Sequence, residues 1–170
     1  LLMAAKILKK KVNKQLTFFL ENNQLLHDCQ SGFRASFSTE SALLEVVQVI
    51  RENLDNGSPV MLMLLDLSAA FDTVSHSILL DRMSRLGVCG PALAWFKSFL
   101  TDRTQAVYIP PFTSDSKPLE CGVPHGFALS PTLFNIYMKP LAGMMESFGV
   151  TVVSYADDTQ LLLFFQDKDP

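Results

Sequence analysis

Two β-rich runs near the end of the chain constrain its fold more than any other feature, because only a short turn separates them. The runs extend from Val150 to Ser154 and from Thr159 to Phe165, and positions 155–158 between them read Tyr-Ala-Asp-Asp. This spacing predicts an antiparallel hairpin with two carboxylates, Asp157 and Asp158, in its turn. An Asp-Asp pair in a turn is most often turn chemistry alone, so the hairpin does not by itself establish a site.

A third apolar run also ends at an acidic residue. Val60 to Leu65 follows the turn signal Asn56-Gly57 and stops abruptly at Asp66. Such a short run between turn residues predicts a strand buried on both faces. Only the fold can bring Asp66 to the hairpin turn. If it does, the carboxylates suit Mg²⁺, and two such ions about 3.5–4 Å apart can stabilise both oxygens of a phosphoryl transfer.

Helical patterns surround these strands and predict an α+β domain. The remaining short strands are expected at Thr104 to Ile109 and Lys117 to Cys121, as a pair. Helices packed on one face of a small antiparallel sheet are the expected architecture. The predicted helices run from Leu1 to about Phe19, from about Thr39 to Leu54, from Ser75 to Gly87, from about Pro91 onward, and from Ser130 to about Phe148.

Composition limits the partners. Hydrophobic residues make up 48% of the 170 residues and charged residues 18%, which is typical of a globular chain. The formal net charge of -3 argues against a complete nucleic-acid enzyme, which usually carries a basic excess. Lys6, Lys10 and Lys14 nevertheless repeat every four residues on one helix face. This lysine stripe is either a solvated face or a surface that meets nucleic-acid phosphates.

Cysteine usage and hydropathy favour an intracellular protein. The three cysteines are far apart and form no CxxC pair, which indicates reduced thiols and no zinc site. No apolar run approaches the ~18 residues of a membrane span, so no membrane partner is expected. The nucleus and the cytoplasm are the expected locations. Because the chain begins with Leu1, it is expected to be part of a longer protein.

Four blocks, in order, resemble those of LINE-type reverse transcriptases, the polymerases of non-LTR retrotransposons. The resemblance covers nearly the whole chain, and both the order and the spacing of the blocks match. In this sequence the blocks are QSGFR at positions 30–34 with STE at 38–40, LLDLSAAFD at 64–72, GVPHGFALSP at 122–131 followed by LFNIY at 133–137, and YADD at 155–158.

The resemblance implies a right-hand polymerase fold and an RNA-directed DNA polymerase activity. Residues from about 1 to 58 would form part of the fingers, and those from about 59 to 170 most of the palm. A DNA primer 3′-OH would attack the α-phosphate of a dNTP opposite an RNA template. Asp66 and Asp157 would hold two Mg²⁺ ions, with Mn²⁺ as a substitute. Asp158 would support the site, and the Leu67 carbonyl would add a ligand.

The resemblance also implies residues that contact the nucleotide. Phe71 matches an aromatic steric gate whose ring excludes a ribose 2′-OH, although a core aromatic is the simpler interpretation of the residue alone. Arg34 would contact the template or the incoming nucleotide, with a structural arginine as the alternative. His125, Gly126 and Phe127 stand at the expected nucleotide pocket, where the family has Gln and then Gly-Ser. Histidine can still form hydrogen bonds, but phenylalanine adds apolar bulk.

These departures keep other functions open. One is a catalytically inactive remnant, or a nucleic-acid-binding module, of the same family. Another is a two-metal nuclease built on the same carboxylates, which the polymerase blocks around Phe71 and Gly122 disfavour. Among the other residues, Trp95 is expected to pack between helices, and His27 and His76 are expected at the surface or at helix caps because no partner is recognisable.

Overall fold

Helices and short strands alternate in the computed structural model, which describes residues 2–124 and 129–165. None of the helices in this part of the chain is long and apolar enough to cross a membrane. The helices are α1 (Leu2–Asn22), α2 (Thr39–Asp55), α3 (His76–Arg85), α4 (Gly90–Leu100) and α5 (Leu129–Glu146). The strands are β1 (Val60–Leu65), β2 (Thr104–Gln105), β3 (Tyr108–Ile109), β4 (Phe112–Thr113), β5 (Lys117–Pro118), β6 (Thr151–Tyr155) and β7 (Asp158–Phe164).

The main sheet has the order β1-β7-β6 and is antiparallel throughout. The predicted hairpin is confirmed, since β6 and β7 pair from Thr151 opposite Leu162 to Tyr155 opposite Asp158. On the other side of β7, strand β1 pairs over its full length and ends with Leu65 opposite Thr159. The end of β1 therefore lies beside the turn of the hairpin.

The prediction that Val60 to Leu65 is buried on both faces is wrong. Strand β1 is an edge strand in the described sheet, and Met61, Leu62, Met63 and Leu64 are 48%, 43%, 44% and 70% exposed. An apolar run shows that a strand can be buried, but its place in the sheet depends on which other segments pair with it. Here β7 is the central strand, although its own apolar run is no stronger.

The α+β class is confirmed, but the helices cover both faces of the main sheet rather than one. Val152 is buried in a cluster with Ala142 of α5, whereas its neighbour Val153 is buried with Val46 of α2. Successive residues of a strand point to opposite faces, so two adjacent buried valines need cover on both sides. The hairpin is thus held between α2 and α5.

A larger core joins α5 to the other helices. Side chains from α1, α3, α4 and α5 form one buried cluster, in which Leu20, Leu79, Leu100 and Leu133 are 0% exposed. At its border the Trp95 ring stacks on Phe99 with centroids 5.4 Å apart, so the prediction that Trp95 packs within the helices is confirmed. This core fixes α5, which in turn supports the sheet.

The segment between α4 and α5 differs in part from the prediction. Thr104-Gln105 pairs with Lys117-Pro118 as expected. Tyr108-Ile109 pairs instead with Phe112-Thr113, in a separate small hairpin. Pro110 and Pro111 lie between those two short strands, and the chain reverses direction there before it reaches the expected partner at Lys117. The expected division into fingers and palm near residue 58 stays a prediction.

Candidate active site

The turn of the β6–β7 hairpin presents two carboxylates. Tyr155 and Asp158 are the last paired residues, so Ala156 and Asp157 form a two-residue turn. Ala156 has a φ of +60°. A positive φ at the first central position is what a tight hairpin turn demands, and glycine usually supplies it. Asp157 is half-buried and Asp158 is exposed.

The strand register brings Asp66 to this turn. Leu65 is paired with Thr159, so the next residue of each strand, Asp66 and Asp158, continues the same register. Leu67 follows directly and is half-buried. The backbone thus brings the three predicted carboxylates to one end of the sheet from two distant segments. Within residues 2–124 and 129–165, however, no three Asp, Glu, His or Cys side chains are grouped closely enough to hold a metal ion.

Two of the sequence blocks meet just after Asp66. The Gly122 amide donates to the Val74 carbonyl at 2.8 Å, and the Val123 amide donates to the Phe71 carbonyl at 2.9 Å. Gly122 has a φ of +87°, and a Cβ there would lie 2.9 Å from the Asp72 carbonyl oxygen. Only glycine satisfies both conditions without strain. The segment leading to the expected nucleotide pocket is therefore fixed against the segment that carries Asp66.

His76 strengthens this junction, and the expectation that it is a surface or capping residue is wrong. Its side chain is buried, and Nε2 lies 2.8 Å from the Gly122 carbonyl oxygen. Because a carbonyl only accepts, Nε2 carries the proton in this bond. Arg103 donates to the same oxygen at 3.4 Å. His27 lies 3.3 Å from a carboxylate oxygen of Glu146. These partners are distant in sequence, so no local pattern could reveal them.

Phe71 lies where three sequence blocks meet. Its ring is 4.8 Å from that of Phe134, and it meets the Phe33 ring edge-on at 6.2 Å. The side chain is half-buried and packs against the large helical core. This position fits both interpretations of Phe71, as a core aromatic and as a steric gate, because a ring that packs against the core can still present one side to a ligand.

Arg34 is held by bonds within the chain, as the structural alternative expects, and its contact with template or nucleotide stays a prediction. It forms a bidentate pair with Glu21, at 3.1 Å from Nε and 3.0 Å from Nη2, and its Nη1 donates to the carbonyls of His27 and Gln30. Its side chain is 11% exposed, and its guanidinium lies 4.8 Å from the Phe37 ring centre. A phosphate would have to compete with all of these contacts.

Behind the hairpin lies a buried thiol whose pKa is shifted by its surroundings. Cys29 is buried against β6, and its pKa is raised to about 11, chiefly by burial and secondly by the charge of Glu146. Cys29 therefore stays a neutral thiol. It contributes packing beneath the carboxylate turn and no nucleophile.

Sequence comparison decides the family. Residues 1–168 match the family model described as reverse transcriptase (RNA-dependent DNA polymerase). The chain belongs to the reverse transcriptase family. The RNA-directed DNA polymerase from mobile element jockey of Drosophila melanogaster is 31% identical over 163 residues, which cover 92% of this chain and 18% of that protein. The Pol polyprotein from the type-1 retrotransposable element R2 of Popillia japonica is 28% identical, over 97% of this chain and 24% of that protein.

The predicted resemblance to LINE-type reverse transcriptases is thereby confirmed. The chain spans 18% to 24% of the length of these two relatives. Among solved structures, telomerase from Candida albicans superposes with a TM-score of 0.68 at 16% identity, over 90% of this chain and 29% of that one. Telomerase from Candida tropicalis gives 0.63 at 16% identity, over 91% and 33%. At such identity the likeness shows a shared fold, which confirms the predicted polymerase fold.

Of the remaining predicted site residues of this reverse transcriptase chain, the structure describes three lysines but not the residues at positions 125–127. Lys6, Lys10 and Lys14 are exposed on α1, as a nucleic-acid surface requires, although a solvated face would look the same. Asn13 of the same helix accepts a hydrogen bond from Thr132 of α5 at 2.8 Å, which ties α1 to the helix behind the sheet. His125, Gly126 and Phe127 lie outside the described residues.

Proposed function

We propose that this chain carries the active site of an RNA-directed DNA polymerase, in which Asp66 and Asp157 bind the catalytic metal ions. The strand register that brings Asp66 beside the Asp157-Asp158 turn carries the proposal. Family membership supports the reaction, in which a primer 3′-OH attacks the α-phosphate of a dNTP. Exposed or half-buried carboxylates at the open end of a sheet are accessible to a nucleotide and its phosphates.

The donor set fits Mg²⁺, with Mn²⁺ as a substitute. Mg²⁺ is usually held by one or two carboxylates, and waters and substrate phosphates complete its shell. A site completed by the substrate does not need three protein side chains already grouped, so the spacing of these carboxylates is compatible with it. When bound, two such ions would stabilise the attacking and leaving oxygens. Asp66 and Asp157 would hold them, while Asp158 and the Leu67 carbonyl would support the site.

The nucleotide is proposed to lie between the Asp66 segment and the segment after Gly122. Hydrogen bonds from Gly122 and Val123 join these two segments firmly. Phe71 follows Asp66 closely and is supported from behind by Phe134, so its ring can act as a rigid wall against a ribose 2′-OH. His125, Gly126 and Phe127 are proposed to border the same pocket.

An RNA template and a DNA primer are the proposed partners. The exposed stripe of Lys6, Lys10 and Lys14 supplies local positive charge on a chain whose net charge is -3. Phosphate contacts by such lysines give affinity that falls with salt. The expected contact of Arg34 with template or nucleotide stays a prediction, and a phosphate there would have to displace the bonds that Arg34 forms with Glu21. The nucleus and the cytoplasm remain the proposed locations.

A second candidate is a remnant of the same family that binds nucleic acid without catalysis. It is favoured by His125 and Phe127, which stand where the family has glutamine and serine. Phenylalanine beside the pocket would obstruct the nucleotide, whereas the carboxylates and the lysine stripe would persist. The two candidates therefore differ in whether the chain binds a dNTP.

Equilibrium dialysis with labelled dTTP and Mn²⁺ separates them. The polymerase proposal expects Mn²⁺-dependent binding that falls at least about tenfold in Asp66→Asn and Asp157→Asn, as loss of a metal carboxylate should cause. In Phe71→Val, the preference for dTTP over its ribonucleotide counterpart should shrink. Binding of dTTP that needs no metal, or none at all, would favour the remnant.

A further inference from the structure

The hairpin turn contains buried backbone N–H and C=O groups that do not bond to its own strands. Pairing between β6 and β7 ends at Tyr155 and Asp158, so the peptide groups of Ala156 gain no partner from the strands. Ala156 is only 8% exposed, and its φ is +60°. Buried backbone N–H and C=O groups need hydrogen-bond partners, and a positive φ in alanine persists only where its surroundings hold it.

The side chain of Gln30 supplies both partners. Its Oε1 accepts from the Ala156 amide at 2.9 Å, and its Nε2 donates to the Ala156 carbonyl at 3.0 Å. Oε1 also accepts from the Gly32 amide at 2.7 Å. The reverse orientation of the side-chain amide would set its NH₂ group against two N–H donors, so the chemistry fixes the orientation. An amide is needed here because it carries a donor and an acceptor.

Gln30 is itself held firmly. Its side chain is 6% exposed, and the chain on either side of it bonds to β6. The Ser31 amide donates to the Ser154 carbonyl, and the Ser154 amide donates to the Cys29 carbonyl, both at 2.8 Å. Gln30 therefore bonds to the turn from a segment that is itself hydrogen-bonded to β6 on both sides.

Gly32 and Asn135 complete the contact. A Cβ at Gly32 would lie 2.0 Å from the Ala156 nitrogen, so the two backbones approach as closely as only glycine allows. Asn135 of α5 donates from Nδ2 to the Gly32 carbonyl at 2.9 Å. The turn is thus connected through Gln30 and Gly32 to the helix that anchors the main core.

We infer that Gln30 is a positioning residue of the active site, which holds the backbone of Ala156 and thereby aims the carboxylate of Asp157. Asp157 follows Ala156 directly, so any rotation of the Ala156 peptide moves the Asp157 side chain. The inference rests on the proposed function for its consequence, since aiming a carboxylate matters only if it binds metal. Groups that orient a metal ligand typically contribute tenfold to a hundredfold to metal affinity.

The test compares Gln30→Met with Gln48→Met. Methionine keeps the length of the side chain but removes both hydrogen bonds. Gln48 is exposed on α2, and its side-chain amide donates to Glu52 at 2.8 Å within the same helix, so it serves as the matched control. Two quantities are measured: the hydrogen-exchange rate of the Ala156 amide by NMR, and the dissociation constant of Mn²⁺ alone by electron paramagnetic resonance.

In Gln30→Met the Ala156 amide should exchange at least about tenfold faster, and Mn²⁺ affinity should fall about tenfold to a hundredfold. Amides at the centre of β7 should keep their protection, and Gln48→Met should change neither quantity. An unchanged Ala156 amide, or unchanged Mn²⁺ affinity in a chain that binds Mn²⁺, would overturn the inference.

A further variant covers the case in which Gln30→Met does not fold. When its carboxyl group is protonated, Gln30→Glu keeps an acceptor for the Ala156 and Gly32 amides and a donor to the Ala156 carbonyl, so at acidic pH protection of the Ala156 amide should be largely retained. The ionised form sets a carboxylate oxygen against that carbonyl, so protection should fall as the carboxyl group ionises. Loss of protection at acidic pH in the folded Gln30→Glu protein would count against the inference. If the unsubstituted chain binds no Mn²⁺, the proposed function fails, while Ala156 exchange still decides whether Gln30 holds the turn.

Discussion

The two segments that bring carboxylates to the site are built very differently. The β6–β7 hairpin is covered by α2 on one face and α5 on the other, and its turn is bonded to Gln30. Strand β1, which ends at Asp66, is an edge strand whose four central side chains are 43% to 70% exposed. One half of the site is thus fixed by buried contacts, and the other depends mainly on pairing with β7.

This contrast is sharpest at one cross-strand pair. Leu62 of β1 lies opposite Leu162 of β7, yet Leu162 is 0% exposed and Leu62 is 43% exposed. Paired residues in an antiparallel sheet share one face, so the difference comes from what covers each strand and not from its sequence. Apolar character alone therefore does not show which of two strands carries the stability.

The largest expected effect is the difference between truncating these two leucines. Leu162→Ala should lower the free energy of unfolding by about 3 kcal/mol, because it opens a cavity between the sheet and α2. Leu62→Ala should lower it by less than about 1 kcal/mol, since little of that side chain is enclosed. Urea unfolding followed by circular dichroism measures both. Equal losses would mean that β1 is as well covered as β7, and would remove the contrast.

A smaller effect is expected where the hairpin turn approaches its support. Gly32→Ala should destabilise the protein by about 1–3 kcal/mol, because the new methyl group meets the Ala156 backbone. Gly143→Ala is the matched control in α5, where an added Cβ would meet none of the described atoms within 4 Å apart from its own stretch of helix backbone. It should stabilise the protein by up to about 1 kcal/mol through helix propensity. Chemical unfolding of both variants checks the pair, and a neutral Gly32→Ala would show that the turn is not held closely.

The smallest effect concerns the thiol behind the hairpin. The pKa of Cys29 is raised from 9.0 to about 11, so the folded state disfavours its thiolate. Its contribution to stability is therefore complete below about pH 9 and is lost as the pH rises toward 11, because the unfolded thiol ionises first. The fall in the free energy of unfolding between about pH 9 and 11 should therefore be smaller in Cys29→Ala.

Alkylation gives an independent check of the same group. At pH 8, iodoacetamide should label the exposed Cys89 and Cys121 well before the buried Cys29, as followed by mass spectrometry. Early labelling of Cys29 would show that the back of the hairpin opens readily, and would weaken the distinction between the two halves of the site.

Local patterns predicted the elements that position the site. The apolar runs around Tyr-Ala-Asp-Asp gave the hairpin, and the run ending at Asp66 gave β1, because strand formation depends on neighbouring residues. What these patterns missed are contacts between distant segments. The exposure of β1, the buried bond from His76 to Gly122 and the engagement of Arg34 all depend on packing that no single segment encodes.

Gln30 shows the same limit within a block that the sequence did identify. In the sequence Gln30 stands out only as part of the family-like QSGFR run, and nothing local indicates that its side-chain amide bonds to Ala156, which lies far along the chain. A glutamine two residues before a glycine is a common sequence pattern and does not by itself indicate a buried contact. Its meaning appears only when the hairpin turn is placed against it.

Mn²⁺ binding followed by electron paramagnetic resonance, with a dNTP present, tests the central claim most directly. The chain should be compared with Asp66→Ala, Asp157→Ala and the control Asp55→Ala, an exposed residue that precedes the opposite end of β1. If the two carboxylate segments form a polymerase metal site, binding strengthened by the dNTP should be lost in the first two variants and kept in the third. Binding that is the same in all four proteins would contradict the claim.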